Sequence, residues 1–313
     1  MGKLSRPRKG SLQYWPRKRA SRLLPSANFK HISAKGLLGF IAYKAGMASA
    51  SVKDQTDKSL TQKKQLILPV TILEVPNMKI FSVRFYKNSK VLKDVIVSQD
   101  KELKHKLKIP KTLNDFEKSI PNEYDDVRII AYSLPKTTFV KKSPDLIELQ
   151  INAENKLEFI KPLIGKEISP DEFFKNDLLD VHGLTRGKGM QGPIKRFGAG
   201  LRFHKSEKGV RKIGSIGPWH PAHVMFRVPM AGQMGFFTRT HYNIKKLYFG
   251  KISEKDINLK SGFPHYGRIK TSYVILKGSV QGTAKRQILL TPSFRPTKLK
   301  QKAKYEFVEV LNK

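Results

Sequence analysis

The chain has 313 residues with 39% apolar content, enough for a real core in part of it, and a formal net charge of +36 from 61 Lys+Arg against 25 Asp+Glu. A charge that large points to an extended polyanion as partner, nucleic acid first, because each neutralised phosphate releases counterions. The absence of cysteine removes disulfides, thiolate zinc sites, iron–sulfur clusters and thiol catalysis. No apolar run approaches the roughly 18 residues of a membrane span and the N-terminus has no hydrophobic signal core, so a soluble, intracellular protein without a membrane partner is expected.

Residues 1–53 contain no acidic side chain. Arg6, Arg8, Lys9, Arg17, Lys18, Arg19 and Arg22 crowd the first part. Pro7, Gly10 and Pro16 interrupt it, which argues against an amphipathic transit helix and for an extended arm. Tyr14 and Trp15 offer rings that either stack on bases and riboses or pack against the body. A glycine-punctuated stretch from Gly36 to Gly46 follows. Residues 66–75 then read as a strand, Pro76-Asn77 as a tight turn, and residues 79–86 as a second strand with Phe81, Val83 and Phe85 on one face, together a β-hairpin. Residues 91–97 make a third strand.

Between Asp94 and Asp180 fall seventeen of the 25 acidic residues, so this lobe should face away from a polyanion. A short helix is expected over 112–119, and strands over 127–134 and 146–151. Ser169-Pro170-Asp171-Glu172 combines a capping Ser, Pro at the first helical position and Glu three residues after the cap, so a second short helix should begin there. A strand over 178–185 leads into the most unusual stretch of the chain, 181–249. Strands over 273–280, 287–291 and 305–311 close the sequence.

From Asp180 to Glu254 the only acidic residue in between is Glu207. A stretch so basic and so poor in apolar periodicity cannot bury itself, and its order should come from a polyanion around it. Gly187-Lys188-Gly189-Met190-Gln191-Gly192 satisfies G-x-G-x-x-G after a strand. A dinucleotide site needs a helix next, whereas Pro193, Gly198 and Gly200 interrupt the chain and Lys195, Arg196 and Arg202 replace the apolar helix face. The glycines are better read as letting backbone approach phosphates while Arg186, Lys188, Lys195 and Arg196 pair with them. Lys205, Lys208, Arg211, Lys212, Arg227 and Arg239 extend the cationic run.

Gly217-Pro218-Trp219-His220-Pro221 is a rigid element tipped by an aromatic ring. Trp219 is either a core residue or the tip of a loop that wedges into folded RNA, and the flanking prolines favour the tip. His220 and His223 read as polar or stacking contacts, since Pro221 and the lack of a nearby carboxylate disfavour a shared metal. Ala231-Gly232-Gln233-Met234-Gly235 is a small-residue turn where another backbone comes close. No phosphate-binding G-x-x-x-x-G-K-[ST] element and no catalytic constellation stands out, so neither an enzyme nor a cofactor is expected.

Six separated motifs in order resemble the large-subunit ribosomal protein L-three family, in its archaeal and eukaryotic branch. They are RPRKGSLQYWPRKRA (6–20), LPVTILEVPNMKIFSVRFY (68–86), DVHGLTRGKGMQGPIKR (180–196), IGPWHPAHV (216–224), AGQMGFFTRTHYN (231–243) and GFPHYGRIKTSYVILKGSVQGTAKRQILL (262–290). The resemblance implies a mainly β fold with an α+β insertion, a translation-protein-type β-barrel with two long basic extensions. Its expected layout is a basic lead-in over 1–60, barrel over 61–100, α/β insertion over 101–177, a barrel strand with the tryptophan loop over 178–252, and the last barrel part over 253–313.

The resemblance further implies a structural rRNA-binding protein in the cytoplasmic large subunit, early in assembly. Its partners would be the 3′ region of the large-subunit rRNA, the peptidyl-transferase surroundings and neighbouring large-subunit proteins, with no homo-oligomer. Trp219 would be the tip facing the aminoacyl-tRNA side, Arg6–Arg22 the arm, and Lys188, Lys195 and Arg196 the rRNA-binding base of the loop. One departure is local: where eukaryotic relatives carry Lys-Thr-His-Arg-Gly, this chain has Lys205-Ser206-Glu207-Lys208-Gly209. A glutamate in place of that histidine sets the family's local rRNA contact there aside for this chain, while Gly217-Pro218-Trp219 and the short chain favour the archaeal side. An RNA-modifying enzyme with a basic arm and a chromatin-type DNA binder are the alternatives; the first lacks a cofactor pocket signal, the second any helix-turn-helix, zipper or finger pattern.

Overall fold

The structure is a computed structural model that describes residues 10–113 and 115–311. The fold is mainly β. In chain order its strands are β1 (Gly36–Leu37), β2 (Phe40–Asp54), β3 (Gln65–Val75), β4 (Met78–Lys87), β5 (Lys90–Ile96), β6 (Asp126–Ser133), β7 (Leu146–Asn152), β8 (Leu178–Leu184), β9 (Met190–Gln191), β10 (Gly232–Gln233), β11 (Thr238–Lys251), β12 (Ser272–Lys277), β13 (Gln287–Pro292) and β14 (Tyr305–Leu311). The helices are single-turn pieces: α1 (Lys156–Ile160), α2 (Pro193–Phe197) and α3 (Lys298–Lys302). None of the described helices is long and apolar enough to cross a membrane.

The chain divides into two compact units, one of Leu23–Gly183 with Arg239–Lys313 and one of Met1–Arg22 with Leu184–Thr238. The larger holds two sheets. One has the order β1-β7-β6-β4-β5; the other runs β13-β8-β11-β12-β3-β2-β14, with β13 also paired to β2. The pairings of the second sheet therefore return on themselves. Leu289 shows how: it sits opposite His182 of β8 on one edge and Ile41 of β2 on the other. Successive residues of β3 and β12 point to opposite faces, and both faces are buried. Leu73, Val75, Val274 and Leu276 enter the main core, which is shared with Met78, Ile80, Val83 and Phe85 of the five-stranded sheet. Val70, Ile72, Tyr273 and Ile275 enter a second core with Phe263 and Leu247. Each such large side chain contributes about 1.5–3 kcal/mol by leaving water.

Several expectations need correction. β3 and β4 do not form a hairpin. Both edges of β3 are already occupied by β2 and β12. Past the turn the backbone is captured elsewhere: Leu134 N–H donates to Asn77 (3.1 Å), and Met78 exchanges bonds with Ile168 (3.2 and 2.7 Å). Phe81 does not share a face with Val83 and Phe85, because a β-bulge between Ile80 and Ser82 reverses the alternation and sends Phe81 to a separate cluster with Leu103 and Tyr132. The helix expected over 112–119 is, in its described part, only a 3₁₀ turn at Glu117–Ser119. At the Ser169 capping sequence the serine hydroxyl turns to the Asp171 carboxylate, and a 3₁₀ turn at Phe173–Lys175 forms instead. Phe173 and Phe174 are buried there against Phe40, so tertiary packing sets the local conformation.

β2 was masked in the sequence by its alanines and its one glycine, Gly46. That glycine lies under a ring: a Cβ there would come 3.1 Å from Phe263, so the buried ring would have to shift by a few tenths of an ångström to admit a side chain. Buried Glu74 ties β3 to the segment entering β12, accepting from Tyr266 Oη, from the backbone N–H of Lys270 (2.8 Å) and Thr271 (3.0 Å), and from Thr271 Oγ1 (3.0 Å). Burial raises its carboxyl pKa above the ordinary glutamate value, and those hydrogen bonds partly oppose the rise.

Candidate nucleic-acid interface

The smaller unit joins the arm to the connection between β8 and β11. Its base is an antiparallel ribbon. Thr185 and Phe236–Phe237 exchange backbone bonds (3.0 and 3.2 Å), Lys188 N–H donates to Met234 (2.9 Å), Met234 N–H to Gly189 (2.9 Å), and β9 pairs with β10. The ribbon closes tightly at Gly235, whose φ is +74° and where a Cβ would lie 2.0 Å from the Arg186 carbonyl oxygen. Only glycine fits. The backbone expected to come close at 231–235 is thus the loop's own outgoing limb, at Arg186–Gly187.

A helix does follow the Gly187–Gly192 pattern, contrary to expectation, but it is α2, five residues long, started by Pro193 and stopped by Gly198 in the left-handed region (φ 62°). Lys195 and Arg196 occupy its last turn. Arg196 is turned inward. Its guanidinium donates to the backbone carbonyls of Gln233 (3.0 Å), Met230 (3.0 Å) and Arg17 (3.2 Å), and Arg17 Nη1 donates back to the Arg196 carbonyl (3.3 Å). Both cations lie over the ring of buried Phe197, at 5.1 and 4.4 Å, and Trp15 stacks on the same ring with centroids 5.9 Å apart. Trp15 also meets Phe226 edge-on at 6.0 Å. Burial lowers the Arg196 pKa, which still leaves an arginine charged. The cluster is a clamp: Arg196, Arg17, Trp15 and Phe197 fasten the arm to the loop base. Ala20 N–H to Phe236 (3.0 Å) and Arg19 over the Phe236 ring (4.8 Å) fasten it again further on.

The remaining candidates divide by exposure. Lys18, Arg19, Arg22, Arg186, Lys188, Lys195, Arg202, Lys205, Lys208, Arg211, Lys212 and Arg227 are exposed, as are Gly189, His220 and His223. Tyr14 is 53% exposed. Gln233 turns its amide into the ribbon turn, donating to the Gly235 carbonyl (3.0 Å). Arg239 is half-buried and belongs to the larger unit, where its carbonyl accepts from Gln281 (3.0 Å). Arg6, Arg8 and Lys9 lie outside the described residues.

Trp219 is 85% exposed, which rules out the core reading of this ring. Ile216 and Val224 flank it, and elsewhere the unit exposes Leu201, Phe203 and Phe226. From Leu184 to Thr238 the only fully buried positions are Leu184, Phe197 and Gly235. So large an apolar and cationic surface, with so little interior, is made to be covered. The sequence located the exposed cations and the tip, and of the two places open to the Trp15 ring, packing is the one observed. It missed that Arg196 is turned inward, a property of side-chain direction that spacing does not carry.

The sequence model of the family described as ribosomal protein L3 matches residues 1–108 and 93–311. The chain is 41% identical over 312 residues to the large ribosomal subunit protein uL3 of Methanocaldococcus jannaschii, covering 94% of this chain and 92% of that one. It is 39% identical to the uL3 proteins of Archaeoglobus fulgidus (95% and 94% covered) and Methanosphaera stadtmanae (92% of each). These relatives are named as proteins of the large ribosomal subunit. A match spread over both units and nearly the whole chain leaves one conclusion: the chain belongs to the ribosomal protein L3 family, on its archaeal side.

Proposed function

We propose that the chain is a structural rRNA-binding protein of the cytoplasmic large ribosomal subunit, and that its smaller unit enters folded rRNA. The arm and the loop act as one body, and the Trp219 tip supports the surroundings of the peptidyl-transferase centre on the aminoacyl-tRNA side. The observation that carries this is the 85% exposed Trp219, set in a unit with exposed cations from Lys18 to Arg227 and Glu207 as its one acidic residue. Affinity is mostly electrostatic, while placement comes from the rigid body and the aromatic tip fitting RNA shape. In this reading the ring of pairings β13-β8-β11-β12-β3-β2 is the translation-protein-type barrel, while the five-stranded sheet combines β6 and β7 of the 101–177 insertion with β1 from the lead-in and β4 and β5, which the expected layout assigns to the barrel part 61–100. The 3′ region of the large-subunit rRNA and neighbouring subunit proteins are its partners.

Sucrose-gradient fractionation of native lysate tests the assignment. The protein should travel with large subunits and stay there in moderately high salt; a mainly free pool contradicts it.

A further inference from the structure

The larger unit carries a lysine surface that the arm and loop do not account for. It lies at one end of the neighbouring strands β14, β2 and β3, where the register sets Tyr305 opposite Asp54 and Lys53 opposite both Glu306 and Gln65. The β2–β3 connection and the segment before β14 are stitched together there. Gln55 N–H donates to the Lys304 carbonyl (2.9 Å), and Lys304 N–H donates to Thr56 Oγ1 (3.0 Å). The connection contributes exposed Lys58, Lys63 and Lys64; the other segment contributes exposed Lys298, Lys302 and Lys304. The acidic residues at this end are Asp54 and Asp57 in the connection and exposed Glu306 at the start of β14, which accepts from Gln55 Nε2 (2.5 Å); the 297–304 segment has none.

Asp54 is not available to neutralise the lysines. It is buried and serves as the organiser of the loop, accepting from Thr56 N–H (2.9 Å), Ser59 Oγ (2.9 Å) and Thr61 Oγ1 (2.5 Å). The loop is thus built rather than slack, and it holds Lys58 and Lys63 at positive φ (59° and 62°), a conformation that non-glycine residues adopt only when their surroundings impose it. The connection carries Leu60 (98% exposed) and the other segment Leu299 (84%), the two most exposed leucines among the described residues.

We infer that this is a second RNA-binding surface, shaped for the sugar–phosphate backbone of an RNA helix. Its chemistry differs from that of the arm and loop. It has no arginine and no aromatic ring over 53–64 or 297–304, hence neither planar forks nor stacking platforms for unpaired bases. Lysine ammoniums act as point charges on phosphates, and leucine side chains fit against riboses in the shallow minor groove through which double-stranded RNA is recognised by shape. The inference rests on the rRNA-binding reading above and adds a site to it.

The test uses the full-length chain and protein-free large-subunit rRNA from the same source, with binding followed over a salt series and by hydroxyl-radical footprinting. A variant with Lys58, Lys64, Lys298 and Lys302 all changed to Gln should lower the slope of log K against log salt by about 0.9 for each duplex phosphate no longer neutralised, about 2–4 in total. It should also lose protection of a helical segment that Trp219→Ala and Lys188→Gln leave protected. Leu60→Ser with Leu299→Ser should weaken binding about fivefold at unchanged slope, as expected for partial loss of apolar burial. An unchanged slope and footprint in the lysine variant overturn the inference while leaving the rRNA assignment standing. Normal rRNA binding with loss of a neighbouring ribosomal protein from reconstituted subunits overturns it in favour of an acidic protein face. No salt-dependent rRNA binding by the unaltered chain takes down both readings.

Discussion

Replacing Arg196 with Ala removes the hub of the clamp and leaves the exposed cations in place. The side chain makes three hydrogen bonds to backbone carbonyls, at 3.0, 3.0 and 3.2 Å. At about 0.5–1.5 kcal/mol net for each, the loss is about 2–3 kcal/mol of local stability, the ring contact with Phe197 included. That corresponds to about a 30- to 150-fold rise in local opening. Hydrogen exchange on the full-length chain reads it directly. The amides of Lys188 and Met234, paired across the ribbon, should exchange faster by that factor, while amides of β3 and β12 in the larger unit keep their protection. Arg196→Lys should recover at most one of the three bonds and behave nearly as badly, because an ammonium cannot reproduce the fork. The reasoning is refuted if Arg196→Ala changes ribbon exchange less than about threefold, or if these amides already exchange at coil rates in the unaltered protein.

Three further outcomes are expected. Leu289→Ala, at a fully buried position between β2 and β8, should cost about 2–5 kcal/mol and lower Tm by about 4–20 °C in calorimetry; a smaller drop means that the two edges of β13 are not both engaged. Trp219→Ala should leave Tm almost unchanged, within about 0.5 kcal/mol of stability, yet slow aminoacyl-tRNA accommodation, and normal translation kinetics would show that the tip matters less than proposed. Asp54 has a folded pKa held below its ordinary value by hydrogen bonds, from Thr56 first and then Thr61. Its stabilisation is therefore full above about pH 4, where the unfolded carboxyl is ionised, and is lost as pH falls towards the folded pKa. Acid unfolding should show this loss, and Asp54→Asn should flatten it; an identical acid limb in the variant argues against the Asp54 turn.

Much of the β body was legible because β-branched and aromatic residues mark β3, β4, β6, β7, β12 and β13 on their own. Two long strands were not. β2 is built from Ala42, Ala45, Gly46, Ala48 and Ala50, residues with little strand preference of their own, and it exists because β3, β13 and β14 pair along it. The polar run in β11 hides one buried and one half-buried lysine: Lys245 is satisfied by Asp177 at 3.2 Å and Lys246 by the Phe174 carbonyl. In the smaller unit, composition alone marked a segment unable to form an ordinary core, and Trp219 stands exposed as the prolines around it suggested. The direction of a long side chain is another matter. Arg196 and Lys195 are adjacent and look equivalent in sequence, but Arg196 reaches inward across Gly232 to the backbone carbonyls of Met230, Gln233 and Arg17, whereas Lys195 is exposed.

The central claim is that arm and loop enter rRNA as one clamped body with Trp219 at its tip. A protein–RNA crosslinking map of native large subunits tests it most directly. Crosslinks from Tyr14 in the arm, Lys188 at the loop base and the Trp219 tip should converge on rRNA around the peptidyl-transferase centre. Crosslinks from the arm and the loop to unrelated rRNA regions, or from either only to proteins, would contradict it.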